Sequence, residues 1–123
     1  MRYALLMHYG EPAPGELDQE TVAEAMRAFD AYAKALREAG VLLSADVLQP
    51  TDMTTTVTLR EGSPRVQDGP FAATKEALAG IFLIDTPDLD DALGWARRCP
   101  GAQWGVIEVR PVSTAFVDGA WTR

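Results

Sequence analysis

The apolar and polar positions of this chain fall into seven regular segments separated by turn residues. Tyr3 to Tyr9 is a short aromatic and aliphatic run ended by Gly10 and Pro12, which predicts a first strand. Its alternation sends Tyr3, Leu5, Met7 and Tyr9 to one face and Ala4, Leu6 and His8 to the other. After a Pro- and Gly-rich loop, Val22, Met26, Phe29, Ala33 and Leu36 recur at helical spacing. Asp18 is the expected N-cap, Leu17 and Val22 occupy hydrophobic-staple positions, and Gly40 supplies the stop. The helix should run about five to six turns. Val41 to Leu48 predicts the second strand and Thr54 to Leu59 a third, half-buried one.

Glu61-Gly62-Ser63-Pro64 is a turn, and Arg65 to Gln67 extends the sheet before a loop at Asp68. Ala77 to Ile84 predicts a central strand. Thr86-Pro87 opens a second helix, with Pro87 at its first position, Asp88, Asp90 and Asp91 at its positive end, and Arg97 and Arg98 at its far end. Its buried stripe is Leu89, Ala92, Leu93 and Ala96. Trp104 to Val109 is the last core strand, before a tail over 113–123. The order predicts an α+β domain of the ferredoxin-like βαββαβ type, with an antiparallel sheet and both helices on one face. No second set of helices covers the other face, which is too apolar to be wet throughout. A homodimer is therefore expected.

At 123 residues the chain has the size of one domain, 1–123. Its net charge of −7 argues against nucleic acid or an anionic membrane as partner. Cys99 is alone and has no internal disulfide partner, and the apolar run at the N-terminus is short for a signal core or a span. The expectation is a cytoplasmic protein. One Cys and one His do not build an ordinary zinc site, and neither a nucleotide loop nor a basic stripe is visible. No metal, flavin or nicotinamide is expected as a cofactor.

The densest chemistry lies in Asp68-Gly69-Pro70-Phe71-Ala72-Ala73-Thr74-Lys75-Glu76. Asp-Gly-Pro leaves strand geometry, Phe71 is expected to anchor the loop in the core, and the polar residues remain available. His8 and Asp68 are the candidate catalytic pair, as a base and as an acid or orienting group. Against that reading, His8 is a partly buried histidine bonded to a neighbour and Asp68 a turn carboxylate. Thr74, Lys75 and Glu76 are candidate ligand contacts; their alternatives are a turn bond and surface ion pairs. Arg110 shares a strand face with Glu108 and suits a carboxylate through its planar fork of donors.

This stretch resembles the signature of the YCII-related proteins, usually written DGPFAETKE, at eight of nine positions, with Ala73 where the family usually has Glu. Further landmarks are the opening Met1 to Met7, Gly40-Val41-Leu42-Leu43, Leu48-Gln49-Pro50, Leu83-Ile84-Asp85 and Glu108 to Val112. The resemblance covers nearly the whole chain. It implies a dimeric α+β barrel in which two ferredoxin-like protomers enclose a pocket between their sheets. Related sequences have been described as isomerase-like or dehalogenase-like, and others as transcription-related. More distant members use a His and Asp pair, for which His8 is this chain's one histidine. Two functions follow as expectations. One is a small cofactorless enzyme, of isomerase, lyase or dehalogenase type, acting on a cyclic or aromatic acid. The other is a non-catalytic dimer that binds a small molecule or contacts a protein.

Overall fold

The computed structural model describes residues 1–122. Its centre is a four-stranded antiparallel sheet, built from β1 (Arg2–Tyr9), β2 (Leu42–Val47), β5 (Ala77–Asp85) and β6 (Gly105–Pro111) in the order β2-β5-β1-β6. Two helices, α1 (Gln19–Glu38) and α2 (Leu89–Arg98), make this the expected α+β architecture. Between β2 and β5 the chain leaves the sheet as a separate antiparallel hairpin, β3 (Thr55–Arg60) with β4 (Ser63–Asp68). A second small hairpin, β7 (Phe116–Val117) with β8 (Ala120–Trp121), ends the described chain.

One face of the sheet makes the core. Tyr3, Leu5 and Met7 of β1 and Ala79, Phe82 and Ile84 of β5 are buried against Tyr32 and Leu36 of α1 and Ala92 and Ala96 of α2. The rings interlock: Tyr32 meets Phe82 edge-on at 5.3 Å between centroids, and Phe29 stacks beside Phe82 at 6.4 Å. The Tyr32 hydroxyl, whose burial would otherwise leave a donor unpaired, donates to the Trp95 carbonyl at 2.8 Å and so ties α1 to α2. Burial raises the Tyr32 pKa further above its ordinary value, so the phenol stays a donor. Cys99 is buried at the end of α2, and burial pushes its thiol pKa up, as befits a packing residue rather than a nucleophile.

Four expectations are corrected. The segment expected over Thr54 to Leu59 is a strand, Thr55–Arg60, but among the described residues it pairs only with β4; the third strand of the main sheet is β5. Alternation identifies a strand without saying which partner it takes. In α1, Asp18 caps as expected, its carboxylate accepting from the Thr21 amide at 2.7 Å, but Met26 is 68% exposed and Tyr32 takes its place in the buried stripe. Phe29, Tyr32 and Leu36 also follow helical spacing, so both stripes fit the sequence. Leu89 likewise stands exposed outside the α2 stripe, which Ala92 and Ala96 carry. Pro87 precedes α2 rather than opening it, because Asp88 is the N-cap and accepts from the Asp91 amide at 2.9 Å. Among the described residues, no helix is long and apolar enough to cross a membrane.

Candidate functional site

The open face of the sheet is set by register. In β1, Ala4, Leu6 and His8 lie opposite Arg110, Glu108 and Val106 of β6, so these six side chains share the face turned away from the helices. On the other side of β1, Leu6 lies opposite Ile81 and His8 opposite Leu78 of β5. His8 therefore sits in a row between two apolar residues, with Glu108 as its diagonal neighbour. Its Nε2 comes within 2.6 Å of Glu108 Oε1. That nitrogen is shielded from solvent, yet the short approach is poorly aligned and leaves it without a well-formed hydrogen bond. Unliganded catalytic pairs often have this loose geometry and tighten on a ligand. A carboxylate that holds the proton of Nε2 leaves Nδ1 to accept one, which is the role of an orienting acid beside a base. Arg110, one position further along the same face, is exposed and carries no ion pair among the described residues.

The motif loop leaves the end of β4. Gly69 has φ +102°, a conformation open to glycine, and its amide donates to the Thr54 carbonyl at 2.7 Å. The Thr56 hydroxyl closes the turn by donating to the Gly69 carbonyl at 2.7 Å. Phe71 does not anchor the core: it is 88% exposed. The Thr74 hydroxyl donates to the Glu76 carbonyl at 2.9 Å, the local turn bond. Lys75 and Glu76 are exposed and form no ion pair with each other or with Arg110 among the described residues. The Lys75 carbonyl lies 3.6 Å from where a side chain on Gly10 would begin, so the loop exit passes beside the end of β1, close in sequence to His8.

Asp68 is exposed and lies opposite Thr55. No hydrogen bond or ion pair of the described residues joins it to His8; the carboxylate brought to the histidine is Glu108. The only sequence signal for that pairing was the face Glu108 shares with Arg110, because the strand register that sets His8 beside it is not written in either segment alone. No three His, Cys, Asp or Glu side chains converge as a metal would require among the described residues.

At the same end of β1, a cleft of about 140 Å³ is lined by Tyr9, Glu11, Pro12, Leu48, Pro50 and Leu78. A larger open hollow, about 350 Å³, lies beside α2 between Val41, Asp91, Trp95 and Arg98 and contains none of the motif residues. The smaller cleft borders the His8 row through Leu78, so it is the one adjoining the candidate chemistry. Its rim is fixed by Glu11, whose carboxylate accepts from both the amide (2.8 Å) and the hydroxyl of Thr51. The hydroxyl bond, then the amide bond, hold the Glu11 pKa below its ordinary value. Burial, and then the Glu11 charge, raise that of the Tyr9 phenol.

The sign for Glu11 follows: a lowered folded pKa gives stability present above the ordinary carboxylate value and lost as pH falls through the lowered one. Melting curves across acid pH should show Glu11→Gln less stable than wild type near neutrality, the gap closing below the ordinary carboxylate range. A gap that stays constant with pH would contradict the assignment.

The model of the YCII-related domain matches residues 1–115. An uncharacterized protein of Rhizobium meliloti (strain 1021) is 38% identical over 115 residues, covering 92% of this chain and 93% of its own length. The motif at Asp68 to Glu76, the β2-β5-β1-β6 sheet and the match over residues 1–115 together place the chain in the YCII-related domain family.

Proposed function

We propose that this YCII-related protein is a small cofactorless enzyme that moves a proton on a cyclic or aromatic acid, in a reaction of isomerase, lyase or dehalogenase type. The observation that supports it is the half-buried His8 imidazole, its Nε2 shielded and the Glu108 carboxylate 2.6 Å from it, on an open sheet face that also carries Arg110. In this reading His8 takes the proton, Glu108 orients the ring, and Arg110 holds the substrate carboxylate through paired N–H donors. Asp68, Thr74, Lys75 and Glu76 contact the ligand from the motif loop, with Asp68 as the second proton-transfer group. The open face belongs against a second copy of the chain, which would exclude water from the pair.

A second reading, a non-catalytic dimer that binds a small molecule or a protein, is favoured by one feature: an aromatic as exposed as Phe71 suits contact with a partner.

The test is a thermal-shift screen with small aromatic and lactone-type acids, followed by solvent-deuterium exchange into each stabilising acid, read by NMR. Wild type should be stabilised and should catalyse exchange. His8→Gln should keep binding and lose on the order of 10²–10⁴ in exchange rate. Arg110→Ala should lose the stabilisation. Stabilisation without exchange would favour the binding dimer, and no stabilisation by any acid would end the enzyme reading.

A further inference from the structure

The chain exposes too much surface for a finished molecule. Its accessible area is 8948 Å² at 13.3 kDa, whereas a compact monomer of that mass exposes about 6,500 Å². The excess, roughly 2,500 Å² by that scaling, is of the size that permanent homodimers bury. Two apolar patches contribute to it. One is the hairpin arm, where Val57 lies directly opposite Val66 and Leu59 opposite Pro64, all on one face. Val57 is 64% exposed, Leu59 69% and Val66 66%, and Phe71 follows in the adjoining loop. The other is the sheet beside His8, where Val106 and Leu78 flank the histidine in its row and both stand exposed.

An arm with an apolar stripe and a sheet rim with an apolar patch are complementary surfaces on one chain. A two-fold pair satisfies both at once, each protomer giving its arm and receiving the other's. The arm stays a pair of short strands that, among the described residues, take no sheet partner but each other, so docking it leaves the main sheet intact. Leaving such a stripe in water is costly, because apolar surface is driven out of contact with water.

We propose that the β3–β4 arm and the Phe71 loop are exchanged between two copies of this chain, so that Phe71 of one protomer walls the His8–Glu108 site of the other. The site is incomplete in one chain: His8 and Glu108 come from the sheet of the protomer, and the apolar lid comes from its partner. The inference rests on the site reading above for its location, and on the exposed surfaces alone for the exchange.

Its test does not use activity. Cys99 is buried, so a cysteine introduced on the surface is the reactive one. Phe71→Cys and Val106→Cys are prepared separately, at positions already exposed in the chain, and mixed with exchange of protomers before mild oxidation. The expected result is a disulfide-linked heterodimer in the mixture. A doubly substituted chain that closes the disulfide within itself, with none between copies in the mixture, would overturn the exchange even if His8 proves catalytic. Val57→Asp with Val66→Asp gives the second measurement, by light scattering with circular dichroism as the check on folding. Burying two unpaired carboxylates per arm should weaken the dimer on the order of a hundredfold or more. A dimer of unchanged affinity, or a wild type that is monomeric at micromolar concentration, would equally refute it.

Discussion

Gly105→Ala should lower stability by about 3 kcal/mol, a fall in Tm of roughly 10 °C for a domain of this size. Gly105 begins β6 directly opposite Tyr9. A methyl there would overlap the His8 carbonyl oxygen and stand 2.9 Å from its carbon and 2.7 Å from Tyr9 Cβ. Those are largely backbone atoms of a central strand, with no rotamer through which to retreat. The clash can be relieved only by parting β6 from β1 at its first residues. That parting also displaces Glu108 from His8, so the loss should extend from stability to the candidate site. Gly101 makes a useful contrast, because a methyl there meets mainly the Met7 side chain, which is flexible. Urea midpoints followed by circular dichroism measure the effect. A Gly105→Ala variant within about 1 kcal/mol of wild type would mean that β6 has more freedom at its start than the close approach allows.

Leu36→Ala should cost about 2–5 kcal/mol, the range for emptying a wholly buried leucine site in a core that collapses only partly. Leu36 is fully buried and closes the last turn of α1 over the sheet. Met26, nearly three turns earlier on the same helix, is largely exposed. Its truncation to alanine should change stability by no more than about 0.5 kcal/mol in a single chain. The pair of variants separates burial from helix propensity, since leucine and methionine are nearly equal as helix formers. Equal losses at the two positions, measured by thermal or urea unfolding, would show that the core is not where the sheet and the α1 stripe place it.

How far the sequence could be read depended on whether a pattern was local. β1, α1, β2, β5, α2 and β6 all carry their own periodicity and their own stops, and each forms where its pattern lies. The arm does not fit that rule. Thr56 and Thr58 alternate with Val57 and Leu59 as in any half-buried strand, yet the covered side is the threonine side and the apolar side faces out. Phe71 is the same case in a loop: its bulk argues for burial, and nothing in the sequence says that its own chain supplies no pocket. The His8 partner was hidden for a different reason. Cross-strand neighbours depend on register, and a shift of one residue between β1 and β6 would turn Glu108 to the other face. Asp68 stood out because it lies in a dense motif, whereas Glu108 lies in an ordinary strand.

The hairpin excursion also orders events in time. Val47 pairs with Gly80, and the Leu48 amide bonds the Ala79 carbonyl at 2.8 Å, so the whole 49–76 segment leaves and returns through one fixed neck. Closing the neck carries the loop-closure entropy of that segment, while the arm adds only its own local ladder. The sheet and helices can therefore condense around β5 while the arm is still coil, and the arm can open and reclose while the core stays shut. In amide exchange a chain diluted free of its partner should behave as two cooperative units, a slow one around β1 and β5 and a fast one beyond the neck. Variation in arm length or sequence is thus free to change what the protein meets without unsettling what it is.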